Sequence, residues 1–268
     1  MLSLLLAALV LQPAPPAQKS AHGLAYERAG SGPAIVFIHG AFLDRRMWDR
    51  EFEALKSRAT VIRYDQRGHG GSDLPSQSFS PVADVIALLD ELKIERATLV
   101  GLSSGAVVAL DTAIAHPARV ERLVLAGGGM SGYVPKEPPP GMNDLMAALK
   151  AGDMAKATDV VLATPVYAAP PESRDLVRAM VKGNERLWKV NPALNQKPAT
   201  PAIGVLETVK LPVLVLVGDR DLAAIRDQAQ ILGSRIPGAR LVTIAGGGHL
   251  LNLTSPEEFL RALTEFVK

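Results

Sequence analysis

The sequence predicts an α/β fold, a mostly parallel sheet flanked by helices. Two observations carry this expectation. Short, continuously apolar runs such as "AIVFI" at 34–38 and "VLVLV" at 213–217 suit strands buried on both faces. Single helical stretches separate most of these runs, which implies right-handed crossovers and parallel neighbours. A third observation marks a second part of the molecule. The alternation stops after Gly129 and resumes at Leu211.

The elements follow in order. The stretch from Ser20 to Gly32 has room for one or two antiparallel strands, and "AIVFIHG" is the first strong strand. "RMWDREFEALKS" has helical spacing and "ATVIRYD" is the next strand. "SPVADVIALLDELKI" reads as a helix capped by Ser80, with Pro81 in its first turn and Val82, Val85, Ile86 and Leu89 on one face. "ATLVGL" is a strand, "SGAVVALDTAIAHP" a helix stopped at Pro117, and "VERLVLAGG" a strand. Within 130–208, "NDLMAALKAGDMAKATDVVLAT" and "PESRDLVRAMVKGNERLWKV" read as two helices. The second aligns Leu176, Val177, Met180, Val181, Leu187 and Trp188. Prolines cluster at 135–140, 165–171 and 192–201, so 130–208 reads as a helical cap with proline-rich hinges. "LPVLVLVGD", "DLAAIRDQAQILGSRIP" and "ARLVTIAGG" restore the strand–helix–strand rhythm. "SPEEFLRALTEFVK" closes the chain as a helix with Ser255 as its cap and acidic residues in the first turn. The expected division is a leader at 1–20, a core made of 21–129 and 209–268, and a cap at 130–208.

Composition narrows the function. The 268 residues carry a formal net charge of +2 with no basic runs, so nothing marks a nucleic-acid partner. There is no cysteine, which excludes disulfides, thiolate catalysis and cysteine-ligated metals. The five histidines show no ligand spacing, so no metal is expected. The apolar run Met1–Leu11 is too short for a bilayer-spanning helix. It has the character of a signal-peptide apolar region, although no lysine or arginine precedes it and prolines 13, 15 and 16 follow. Export to the periplasm or medium and retention in the cytoplasm are both open, as are a monomer and a homodimer.

The chemistry centres on "VGLSSGAVVAL". Strand, Gly101-x-Ser103-x-Gly105, helix is the arrangement of a nucleophile elbow, a sharp turn that lifts a serine hydroxyl above the sheet. The next amide, that of Ser104, then sits at a helix N-terminus, where it can donate to developing negative charge. A serine needs a base. His249 follows the last strand in the glycine-rich "AGGGHLLN", where Gly246, Gly247 and Gly248 suit a loop letting an imidazole reach across the sheet top. His39, His69, His116 and His22 have plainer readings. The base needs an acid, and "VGDRD" offers Asp219 and Asp221, both between serine and histidine in chain order. Asp219 sits where the strand ends and can bind turn amides, whereas Asp221 lies further into the loop. "HGAF" at 39–42 places the Ala41 amide to form an oxyanion hole with that of Ser104, and Phe42 is the adjacent candidate for the substrate pocket.

Together, "HGAFLDRRMWD", "VIRYDQRGHGGSD", "GLSSGA", "VGDRD" and "GGGHLLNLTSPEEF" resemble the α/β-hydrolase superfamily. They are most similar to its single-domain esterase, 3-oxoadipate enol-lactonase and cofactor-free haloperoxidase relatives. The resemblance spans nearly all of 21–268. It implies a sheet of about eight strands, a helical cap at 130–208, and Ser103, Asp221 and His249 as a triad with Ala41 and Ser104 as oxyanion donors. Its Gly-x-x-Asp pattern falls on Asp221. The chain departs from the enol-lactonase relatives at Ser104, commonly methionine, and at Ala106, commonly glycine. Dehalogenase and epoxide-hydrolase relatives usually carry aspartate where Ser103 stands. The expected activity is cofactor-free hydrolysis of a small carboxylic ester or lactone through an acyl-enzyme. Carbon–carbon bond hydrolysis or perhydrolysis on the same triad, and a non-catalytic ligand-binding homologue, are the alternatives.

Overall fold

Among the described residues, eight strands, numbered β1 to β8 in chain order, form one sheet in the order β1-β2-β4-β3-β5-β6-β7-β8. The computed structural model describes residues 17–268. The expected leader therefore lies outside the described residues up to position 16. Its last residues supply the short edge strand β1 (Gln18–Lys19), paired antiparallel with β2 (Ala25–Ala29). Strand β2 also runs antiparallel to β4 (Thr60–Tyr64), and every other pairing is parallel. The remaining strands are β3 (Ala34–Ile38), β5 (Ala97–Leu102), β6 (Val120–Ala126), β7 (Val213–Gly218) and β8 (Arg240–Ile244).

Strands β3, β4, β5 and β7 are buried along their whole length, as continuous apolar runs require. Alternate residues face opposite layers. Val36, Ile62, Leu99, Leu123 and Val215 pack beneath α2 (Pro81–Glu91), α3 (Ser104–Ala115) and α7 (Ala223–Arg235). Ile35, Val61, Val100, Val124 and Leu214 belong to the other layer, with α1 (Asp49–Leu55) and α9 (Pro256–Phe266). Ser80 caps α2 as expected, accepting from the Ala83 amide. Ser255 occupies the N-cap position of α9, but its hydroxyl makes no cap bond. The chain reaches it directly from a one-turn helix, α8 (Leu251–Thr254), which the sequence reading missed.

Between β6 and β7 the chain forms α4 (Met142–Lys150), α5 (Met154–Ala163), α6 (Pro171–Gly183) and several single 3-10 turns. Both long helices expected here are broken. Gly152 adopts φ +72°, which ends the first helix, and Asp153 caps the next by accepting from the Lys156 amide. The second breaks at Asn184, after which Leu187 and Trp188 sit in a 3-10 turn. No helix among the described residues is long and apolar enough to cross a membrane.

One buried group sets a pH dependence for the whole fold. Glu51 on α1 is fully buried, and among the described residues neither carboxyl oxygen has a hydrogen-bond partner. Burial raises it from 4.5 to about 8. The folded state therefore keeps a proton that the unfolded chain releases, and stability falls as pH rises between about 4.5 and 8. Glu51→Gln is expected to flatten that fall, with the variant gaining on the parent as pH rises. Melting temperatures taken from pH 5 to 9 check it, and parallel curves for the two proteins would contradict it.

Candidate active site

The site forms at the carboxyl ends of the parallel strands. Ser103 stands between β5 and α3 with φ +56° and ψ −116°, a strained conformation for a non-glycine residue. Its neighbours are small by necessity. A Cβ on Gly105 would lie 2.1 Å from the Ile38 carbonyl oxygen, and one on Gly101 2.3 Å from that of Gly105. The Ser103 amide donates to the Ala126 carbonyl, 2.8 Å away, which ties the turn to the end of β6.

His249 approaches the same place from the far side of β6. A Cβ on Gly127 would come 3.2 Å from its Cε1, so the missing side chain there makes room for the imidazole. Three glycines follow β6, all at positive φ, and Gly129 would collide with the Ser103 carbonyl if it carried a Cβ. That run, "AGGG" at 126–129, is the sequence signal for this close approach. His249 is 3% exposed. Its Nδ1 lies 2.9 Å from Asp221 Oδ2 and 3.1 Å from Oδ1. Its Nε2 is buried and has no hydrogen-bond partner among the described residues. The Asp221 side chain also accepts from the Leu222 amide, which steadies the carboxylate.

The structure thus separates the two aspartates. Asp219 is exposed and points back into the histidine loop, where Oδ1 accepts from the Gly246 amide at 2.8 Å. The glycines of that loop also have a packing role. Gly247 and Gly218 approach so closely that a Cβ on Gly218 would sit 2.1 Å from the Gly247 carbonyl oxygen.

Across from the elbow, His39 directly follows β3. The imidazole is completely buried, and burial lowers it to about 4, so it is neutral at physiological pH. Its Nε2 accepts from the Gln66 amide at 2.9 Å, so its Nδ1 carries the proton and donates to the Gly40 carbonyl at 2.8 Å. A planar trans peptide places its C=O and N–H on opposite sides. Holding the Gly40 oxygen therefore aims the Ala41 N–H the other way. Among the described residues, neither the Ala41 nor the Ser104 amide donates to a protein acceptor. A cleft of about 1160 Å³ opens on Ala41, Phe42 and Ser104 and follows α3 past Val107, Val108 and Asp111. Phe42 lines it. Ser103 and His249 are not part of its wall. Trp188 packs on Phe42, with ring centroids 4.3 Å apart, and Met146 is left exposed.

Residues 35–262 match the model of the alpha/beta hydrolase family. The chain belongs to this family. It is 29% identical over 87% of its length to a pimeloyl-[acyl-carrier protein] methyl ester esterase of Nitrosomonas europaea, covering 95% of that protein. It is 27% identical to 3-oxoadipate enol-lactonase 1 of Acinetobacter baylyi, covering 89% of this chain and 90% of the relative. Among solved structures, the enol-lactonase of Burkholderia xenovorans superposes with a TM-score of 0.75 at 26% identity, over 91% of this chain and 96% of that one. Ser103, His249 and Asp221 lie on the turns and loops that follow β5, β8 and β7.

Asp221→Asn is expected to lower kcat by about 10⁴-fold by favouring the wrong imidazole tautomer. Asp219→Asn should leave kcat near that of the parent and cost about 1 kcal/mol of stability through the weakened bond to Gly246. Rates and melting curves for the two variants decide between the aspartates, and the reverse pattern would overturn the assignment.

Proposed function

We propose that the protein is a serine hydrolase of small carboxylic esters or lactones, working through an acyl-enzyme on Ser103. One observation carries the reading: a buried imidazole fixed at Nδ1 by Asp221, with its Nε2 unpartnered, and a strained elbow serine, both packed against the glycines that follow β6. Ser103 Oγ attacks the carbonyl carbon and passes its proton to His249 Nε2. The carbonyl oxygen becomes an oxyanion that accepts from the Ala41 and Ser104 amides. Collapse breaks the ester bond, and the leaving alkoxide takes the proton from His249. In a lactone the leaving oxygen stays tethered to the acyl group. Water then gives a proton to His249 and its oxygen attacks the acyl carbon. The acid leaves, and Ser103 recovers its proton. Asp221 stabilises the imidazolium in both halves.

The segment 130–208 serves in this reading as a cap that shapes the pocket and excludes water. Its support is position. Tyr167 and Asn184 from this segment reach the loop carrying Ala41 and Phe42. The ester-hydrolysing and lactone-hydrolysing relatives support the substrate class. The apolar character of the cleft along α3, with Val107, Val108, Ile114 and Met130, supports an acyl group of some length.

Ser103→Ala is expected to remove turnover of a short-chain aryl ester by several orders of magnitude while the protein stays folded, because triad members act as a unit. An organophosphonate should add its mass to Ser103 alone. Activity near the parent's, or label on Ser104, would contradict the proposal.

A further inference from the structure

We propose that Tyr167 and Asn184 are positioning residues that complete the oxyanion hole by holding the loop 41–43 in its working shape. The inference rests on the serine-hydrolase reading and assigns that site a dependence on how the helical segment is seated.

The core buries the Leu43 side chain, but its hydrogen bonds reach only the start of the loop, where the Gly40 carbonyl accepts from His39 Nδ1 and from the Leu43 amide. The next three carbonyls all accept from side chains of the helical segment. The Tyr167 hydroxyl donates to the Ala41 oxygen at 2.8 Å. Asn184 Nδ2 donates to the Phe42 oxygen at 3.1 Å and to the Leu43 oxygen at 3.0 Å. Asn184 is completely buried, and its own oxygen accepts from the Gly70 amide at 2.8 Å.

The held loop is strained. Phe42 has φ +56°, a left-handed conformation that a bulky side chain disfavours. Such a conformation persists where the surroundings over-determine it. Here those surroundings come from the helical segment: Asn184 on the Phe42 carbonyl and Trp188 on its ring. The peptide planes on both sides of Ala41 are then fixed, one by His39 and one by Tyr167, which leaves its N–H little freedom to turn. An oxyanion donor contributes only when aimed before the charge develops.

Plain attachment of the segment to the core has its own means. Arg186 donates to the carbonyls of Gly68, Gly70 and Ser72, all in a neighbouring loop. The Tyr167 and Asn184 donors instead meet three consecutive carbonyls of the loop that bears the oxyanion amide. Lifting the segment to admit a substrate would release that loop, and reseating it would restore the hole.

The test uses Tyr167→Phe and Asn184→Ala in the full chain. The readouts are kcat and KM on an aryl ester, affinity for a trifluoromethyl ketone whose hemiketal oxyanion occupies the hole, and melting temperature. Losing one neutral hydrogen bond corresponds to about a fivefold effect. Tyr167→Phe is therefore expected to lower kcat about fivefold, leave KM unchanged and weaken the ketone by the same factor, with its melting temperature lower by no more than about 2–4 °C, the cost of one hydrogen bond. Asn184→Ala should show a larger loss in both kcat and ketone affinity. Should Asn184→Ala fail to fold, Tyr167→Phe decides alone. Parental kcat and ketone affinity in Tyr167→Phe would overturn the inference, as would a lower kcat with unchanged ketone affinity. Absence of any Ser103-dependent turnover in the parent would instead defeat the serine-hydrolase reading, and this inference with it.

Discussion

At the elbow, two stretches of backbone cross where no side chain fits. Gly105 rests against the Ile38 and His39 carbonyls, and Gly101 against Gly105. This contact lets α3 start directly over the end of β3. It also puts the Ser104 amide on the same side as the loop that follows His39. The strain at Ser103, about 1–3 kcal/mol for such a conformation, is held by this packing and by the bond from its amide to β6. Much of the site depends on that crossing. If β5 and α3 moved apart by the width of a methyl group, the serine, the amide beside it and the glycines after β6 would all lose their register.

Around this point the loops are bound by buried polar groups. Asp65, fully buried, accepts from the Gly71 amide and from both the backbone and guanidinium of Arg45. Arg45 also meets Glu27, which in turn binds Arg63. These pairs join the loop after β3 to the loop after β4. Removing one partner would strand a charge in a dry environment, which is far costlier than losing an exposed pair. His39 and His69, whose rings lie 4.8 Å apart, are lowered by burial to about 4 and about 3. Both are neutral at physiological pH and serve as hydrogen-bonding groups. His249 differs in having a carboxylate on one nitrogen and no partner on the other.

The sheet was legible because its central strands are buried on both faces, and the expected runs cover β3 to β8, overshooting their ends by up to three residues. Ser103, His249 and Asp221 stood out as candidates because each follows a strand in a glycine-bearing turn or loop, and of these contacts the structure shows the bond between His249 and Asp221. What escaped were contacts between distant parts of the chain. Gly152 and Asp153 could have been read as a helix stop and a new cap, but apolar spacing on both sides concealed the break. Asn184 leaves no local trace, since its bonds reach Phe42, Leu43 and Gly70, more than a hundred residues away. The same holds for the Tyr167 hydroxyl on Ala41. Hydrophobic periodicity reports which face of an element is buried, and it is silent on which carbonyl a buried amide will find.

In the proposed reaction a covalent acyl group on Ser103 is an intermediate common to all esters of one acid. Partitioning between water and added methanol tests it most directly, with a series of esters that share the acyl group and differ in the leaving alcohol. An acyl-enzyme forgets its leaving group, so the ratio of methyl ester to free acid should be the same across the series, and both products should disappear in Ser103→Ala. A ratio that follows the leaving group would mean that water attacks the substrate directly, and the account would be wrong.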